Sequence, residues 1–181
     1  NSPIPVYALV NGANESLVSN WYNASVTIHV ENIPYYPAQG VRYVISTVSP
    51  SANITVNSPT TIQISVQKQF YVTLVSPYPV YASINGVNGT LKSGWYNANT
   101  TIFIENVTNY PAEGVRFFIL TVKPSMNFTV NSPITVEIKM EVQYYVAVNS
   151  KIPVYAVINS ANETLKSGWY NANTTMYIEN L

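Results

Sequence analysis

Ser93-Gly94-Trp95-Tyr96-Asn97-Ala98-Asn99-Thr100-Thr101 is the stretch from which the fold can be read, because it stands three times in the chain at one spacing. Its other copies are Ser19 to Thr27 and Ser167 to Thr175. Trp21, Trp95 and Trp169 lie 74 residues apart, as do Pro5, Pro79 and Pro153. A fixed period of this length marks a tandem array. Residues Lys151 to Leu181 match Pro77 to Val107 at 22 of 31 positions, far beyond chance. The expected partition is a first repeat at 1–68, a second at 69–142 and a partial third at 143–181.

A unit of this size buries only about 60% of the surface its unfolded chain exposes, so each repeat is marginal alone and should lean on its neighbours. The first repeat lacks a leading strand by this partition, and the third lacks its later ones. The expectation is an excerpt of a longer array. The alternative is that a strand from a neighbouring molecule completes the sheet by β-augmentation.

Charged residues make up 9% of the 181 residues and cancel to a net charge of zero. No basic stripe exists to neutralise phosphates, so nucleic acid is excluded as a partner, and no polybasic segment points to a lipid surface. No apolar run is long enough to insert in a membrane. Cysteine and aspartate are both absent. That excludes disulfides, thiolate metal sites and thiol catalysis, and no cofactor is expected.

Nine Asn-x-Ser/Thr acceptors occur, at Asn14, Asn23, Asn53, Asn88, Asn99, Asn106, Asn127, Asn162 and Asn173. Random order of the same composition would give about four. Three sets recur in register: Asn14 with Asn88 and Asn162, Asn53 with Asn127, and Asn99 with Asn173. Covalent N-linked glycans are therefore expected, and they imply an extracellular, cell-surface location. The competing reading is that Asn and Thr serve turns and strands, and that duplication copied the coincidence.

No window sustains 3.6-residue apolar spacing, whereas period-two alternation is widespread and Pro and Asn-Gly punctuate it. The chain should be all-β. In the second repeat, Pro79 to Asn85 reads as a strand, Gly86 to Leu91 as a loop, and Thr100 to Glu105 as a strand with Ile102 and Ile104 on one face. Thr108 to Gly114 reads as a loop. Val115 to Val122 is an apolar strand buried on both sides or at a core edge.

From Val136 to Val148 the alternation never breaks. At about 3.3 Å per residue such a run spans roughly 40 Å, longer than one small domain requires. A long shared strand should therefore end one repeat and begin the next, with no Gly or Pro between Pro133 and Pro153 to loosen the joint.

The motif Gly94-Trp95-Tyr96-Asn97-Ala98, with Asn131-Ser132-Pro133-Ile134-Thr135-Val136 running into Gln143-Tyr144-Tyr145-Val146, resembles the tandem immunoglobulin-like β-repeats of secreted and cell-surface proteins of thermophilic archaea. These include surface-layer-associated proteins and the non-catalytic tails of secreted proteases. The resemblance covers essentially the whole chain. It implies tandem β-sandwiches in a surface-exposed array. Where such repeats often carry Gly-Trp in the middle strand, this chain has Val115-Arg116-Phe117-Phe118.

Trp21, Trp95 and Trp169 are expected to be structural aromatic anchors, one large ring per repeat at a strand start, rather than sugar-stacking platforms. His29 is the lone histidine and occupies the place of Phe103 and Tyr177, so it reads as an outward surface position. Without Cys or Asp it builds neither a zinc site nor a triad. Glu31 and Glu105 precede Arg42 and Arg116 by eleven residues and read as loop-bridging ion pairs or carbonyl contacts, not as a glycosidase pair. No catalytic, cofactor or metal residue is expected.

The expected role is a structural subunit of an extracellular filament, stalk or surface layer, without catalysis. Its partners are then copies of itself or neighbouring repeats, with strand exchange between chains. The alternatives are an adhesin or glycan-binding module, or the accessory tail of a secreted hydrolase.

Overall fold

A computed structural model describes residues 2–179; residues 1, 180 and 181, at the outer ends of the expected first and third repeats, lie outside it. Among the described residues every regular element is a strand. The first period holds β1 (Tyr7–Val10), β2 (Ala13–Ser16), β3 (Val26–Val30), β4 (Tyr35–Ala38), β5 (Val41–Ser49), β6 (Asn53–Val56) and β7 (Gln63–Val75). The second runs through β8 (Val80–Ile84), β9 (Val87–Leu91), β10 (Gly94–Asn97), β11 (Thr100–Ile104), β12 (Asn109–Ala112), β13 (Val115–Lys123), β14 (Asn127–Val130) and β15 (Ile134–Val146). The third shows β16 (Val154–Ile158), β17 (Ala161–Leu165), β18 (Gly168–Asn171) and β19 (Met176–Ile178).

By its contacts the chain divides into two compact units. The first is Asn1–Thr73 together with Lys92–Thr101 and Thr129–Ile134, so the second copy of the tryptophan motif belongs to it. Its first sheet has the order β2-β1-β3-β6, all antiparallel. Opposite lies the ladder β4-β5-β7, to which β10 adds on β7. Val6, just before β1, and Ala8, Ile28 and Val30 of the first sheet form a core cluster and pack against Ile45, Val48 and Ile64 of the second layer. The alternation that places these side chains on one face of each strand drives the two layers together, at about 1.5–3 kcal/mol per fully buried aliphatic side chain larger than Ala.

The second unit is Leu74–Leu91, Ile102–Phe128 and Thr135–Leu181. Here β8 pairs with β9 and β11, β13 pairs with β12 and β15, β15 pairs with β18, and β16 pairs with β17 and β19. Ala156, Ile158 and Leu165 make one core cluster, against which Val148, Val154, Tyr170 and Met176 pack. Ile102 and Ile104 are fully buried while Thr101 and Phe103 face out, as the alternation requires.

Two segments differ from the sequence reading, and in a third, read as buried on both sides or at a core edge, the first of the two alternatives falls. Gly86 to Leu91 is no loop: Asn85 and Gly86 take φ of 50° and 82° and form a two-residue hairpin turn that starts β9 immediately. The stretch read as a loop around Tyr110-Pro111 is the short irregular strand β12, paired with β13 through a register shift. In β13 the register slips between Ile119 and Thr121, and this bulge turns Leu120 out to 57% exposure. The strand therefore buries Phe117 and Ile119 on one side and is not sealed on both.

Candidate functional site

The two thirteen-residue strands β7 and β15 each serve two partners within their unit. Gln63 to Phe70 pair with β5, and Gln69 to Val72 pair with β10. In the second unit, Glu137 to Tyr144 pair with β13 and Gln143 to Val146 with β18. The tryptophan motif of each later period is thus an antiparallel strand on the joining strand of the period before it. This agrees with the tryptophan standing at a strand start, and Asn99, just past β10, takes a left-handed turn with φ of 67°.

Residues two apart on a strand share a face, and the registers place one residue from each of three strands in a row. Arg42 stands opposite Gln69, and Gln69 opposite Asn97. Arg42 Nε donates to Gln69 Oε1 at 2.7 Å, and Gln69 Nε2 donates to Asn97 Oδ1 at 2.8 Å. The next row pairs Tyr71 with Trp95. The Arg42 guanidinium carbon lies 4.6 Å from the Trp95 ring centroid, and Tyr71 and Tyr36 meet that ring edge-on at 5.3 and 5.8 Å.

The second unit repeats this arrangement residue for residue. Arg116 Nε donates to Gln143 Oε1 at 2.7 Å, and Gln143 Nε2 to Asn171 Oδ1 at 2.7 Å. Arg116 lies 4.6 Å from the Trp169 centroid, with Tyr145 and Tyr110 edge-on at 5.4 and 5.9 Å. Below the ring, Ser167 Oγ accepts from Val148 N–H at 2.8 Å and donates to its carbonyl at 3.3 Å.

Such a cluster ties three strands together side by side. It holds a strand in register: hydrogen bonds fix the row, and a cation over the indole adds about 0.5–1 kcal/mol at a partly exposed site. Both arginines serve their Gln and Trp instead of the loop-bridging contacts with Glu31 and Glu105 that the recurrence suggested. Trp95 and Trp169 are half-buried in these clusters. Trp21 is 98% exposed, and among the described residues Trp21-Tyr22-Asn23 pair with no strand.

All nine Asn-x-Ser/Thr acceptors, Asn14, Asn23, Asn53, Asn88, Asn99, Asn106, Asn127, Asn162 and Asn173, are solvent-exposed. Asn14, Asn88 and Asn162 lie on β2, β9 and β17, each an edge strand of its sheet. His29 faces out and shares a hydrogen bond between Nδ1 and Asn53 Oδ1, its cross-strand neighbour. No group of three His, Cys, Asp or Glu is placed to hold a metal among the described residues.

Sequence reasoning singled out the tryptophans and the recurring Arg42 and Arg116, gave the arginines other partners, and missed the Gln, Tyr and Asn residues that complete each cluster. The signal was present: Tyr36, Arg42, Gln69, Tyr71 and Asn97 all recur 74 residues later, at Tyr110, Arg116, Gln143, Tyr145 and Asn171. No protein-family model, curated protein or solved structure matches the chain.

Proposed function

We propose that this chain is a structural segment of an extracellular filament, stalk or surface layer, an N-glycosylated array of immunoglobulin-like β-repeats without catalytic activity. The observation that carries this reading is the strand pairing at the tryptophan motif. Each later period contributes Gly-Trp-Tyr-Asn to the joining strand of the period before it, in one register and with one set of side-chain contacts. Beads on linkers need no such device; a load-bearing array does. A tensile load would have to shear Gly94–Asn97 from Gln69–Val72 and pull Trp95 from beneath Arg42.

The exposure of all nine glycan acceptors supports the extracellular part of this reading. Sugars on edge strands such as β2 and β9 would block edge-to-edge pairing, a hazard that natural sheets guard against. The test is electron cryo-microscopy of the native material released from cells. Continuous filaments or a lattice, with added density at Asn88 or Asn162, would agree with the proposal. Dispersed particles with unmodified asparagines would refute it.

A further inference from the structure

Each period carries an aromatic ring on the outward face of one strand: His29 on β3, Phe103 on β11 and Tyr177 on β19. Phe103 is 50% exposed between the fully buried Ile102 and Ile104. A single exposed ring is ordinary on a protein surface. What sets this position apart is the residue across the ladder from it.

In the first unit the registers place Asn14, Leu9, His29 and Asn53 in one row over four strands. Both ends of the row are glycan acceptors, Asn14-Glu15-Ser16 and Asn53-Ile54-Thr55. His29 is the direct neighbour of Asn53, and its Nδ1 donates to Asn53 Oδ1, so the two side chains meet. That bond engages the amide oxygen and not Nδ2, the atom to which an N-linked sugar is joined.

The second unit builds the same row from Asn88, Ser83, Phe103 and Asn127. Asn88 stands opposite Ser83, and Ser83 opposite Phe103. Ile104 N–H donates to the Met126 carbonyl at 2.7 Å, as Val30 N–H does to Ala52 at 2.8 Å one period earlier. β14 therefore lies on β11 in the register of β6 on β3, with Asn127 directly across from Phe103. Adjacent strands are about 4.8 Å apart, so a sugar on Asn127 starts one strand from the ring and a sugar on Asn88 two. In the acceptor Asn127-Phe128-Thr129 the Asn and Thr are exposed, while Phe128 is half-buried.

We infer that Phe103 is the seat of the first sugar ring on Asn127. A pyranose offers a face of C–H groups whose partial positive charge suits the negative face of an aromatic ring, and stacking takes the exposed half of Phe103 out of water. Attachment joins Asn127 Nδ2 to the anomeric carbon of a sugar carried on a phosphate. The phosphate leaves with the bonding electron pair, and Nδ2 gives up one proton. The inference rests on the proposed N-glycosylation and says which acceptor is occupied and what its sugar touches. At Asn53 the same place is taken by His29, which holds the amide oxygen instead.

The test uses the full chain made in a host that adds N-linked sugars, trimmed to one N-acetylglucosamine per site. Peptide mass spectrometry should find Asn127 modified. Nuclear Overhauser contacts should connect the Phe103 ring to that sugar, whose C–H signals lie upfield and lose this shift in Phe103→Thr. Thr129→Ala supplies the chain without sugar at Asn127, and threonine suits an exposed strand position, so both variants fold. In urea, the sugar should raise the folding constant about threefold with Phe103 present and leave it unchanged with threonine there, a coupling the size of a good cross-strand pair. The same four chains made without sugars should show no such coupling. Unmodified Asn127 among otherwise modified acceptors overturns the inference and leaves the glycosylated array standing; no sugar at any acceptor overturns both. The inference also falls if the ring contacts a sugar on Asn88 instead, or if the sugar on Asn127 acts equally in both backgrounds.

Discussion

Trp95 stands directly across the β7–β10 ladder from Tyr71, with ring centroids 5.3 Å apart and planes at 75°. The relationship returns between Trp169 and Tyr145 at 5.4 Å and 67°. One period therefore ends where the next has already begun, on a strand that serves both.

Gln143 is the middle of a three-strand row and makes two side-chain bonds. Replacing it by Leu leaves Arg116 Nε without that partner in a part-buried setting and Asn171 Oδ1 without it in an exposed one, at a cost of about 1–2 kcal/mol that comes chiefly from the arginine side. Gln63→Leu, at an exposed position of β7 outside the row, should stay within about 0.5 kcal/mol. Urea denaturation of the two variants compares them; equal losses would remove the row from the account.

Gly40 has φ of 70°, and a Cβ built there would lie 2.8 Å from the Pro133 Cβ within the same compact unit. Gly114, its counterpart, has φ of 69° but its nearest neighbour is 4.0 Å away. Both alanine variants carry the left-handed backbone penalty of about 1 kcal/mol, and Gly40→Ala adds a steric term of about 1–3 kcal/mol. Thermal unfolding should therefore rank Gly40→Ala clearly below Gly114→Ala. The reverse order would mean that Pro133 does not press on this turn.

The β16–β17 hairpin has Asn159-Ser160 where the earlier ones have Asn11-Gly12 and Asn85-Gly86. Ser160 is held at φ of 73°, a region that a side chain disfavours. Ser160→Gly should stabilise the hairpin by about 0.5–1 kcal/mol, read as slower amide exchange across β16 and β17. Faster exchange would contradict the turn assignment.

How much of this was legible beforehand depended on whether the cause was local. The alternation of Ile102 and Ile104 against Thr101 and Phe103 shows directly in sequence, since a strand's two faces alternate by residue. The continuity of β15 was legible for the same reason. The partner of Gly94–Asn97 was not: the sequence places the tryptophan at a strand start, but the strand it pairs with lies more than twenty residues away. The bulge at Leu120 was hidden likewise: a run of apolar residues does not reveal where a register slips. Asn-Gly at 85–86 is a hairpin signal in plain view, and it starts β9 where the sequence reading has a loop.

Asn88 lies on the edge strand β9, and its acceptor motif ends at Thr90. In a glycosylating host, Thr90→Ala should abolish any sugar at Asn88 and increase self-association, because the edge is left bare. Sedimentation velocity compares the variant with the parent, and peptide mass spectrometry reads the modification. An unmodified Asn88 in the parent would remove that glycan from the account.

The most direct measurement compares three substitutions at one motif in a single chain: Trp21→Ala, Trp95→Ala and Trp169→Ala, each followed by thermal and urea unfolding. If the motif stabilises through the joining strand, Trp95→Ala and Trp169→Ala each lose about 2–3 kcal/mol, from ring burial and the arginine contact. Trp21→Ala then loses almost nothing, its ring being 98% exposed. Equal losses at all three positions would mean that the tryptophan acts within its own period, and would contradict the strand-pairing account.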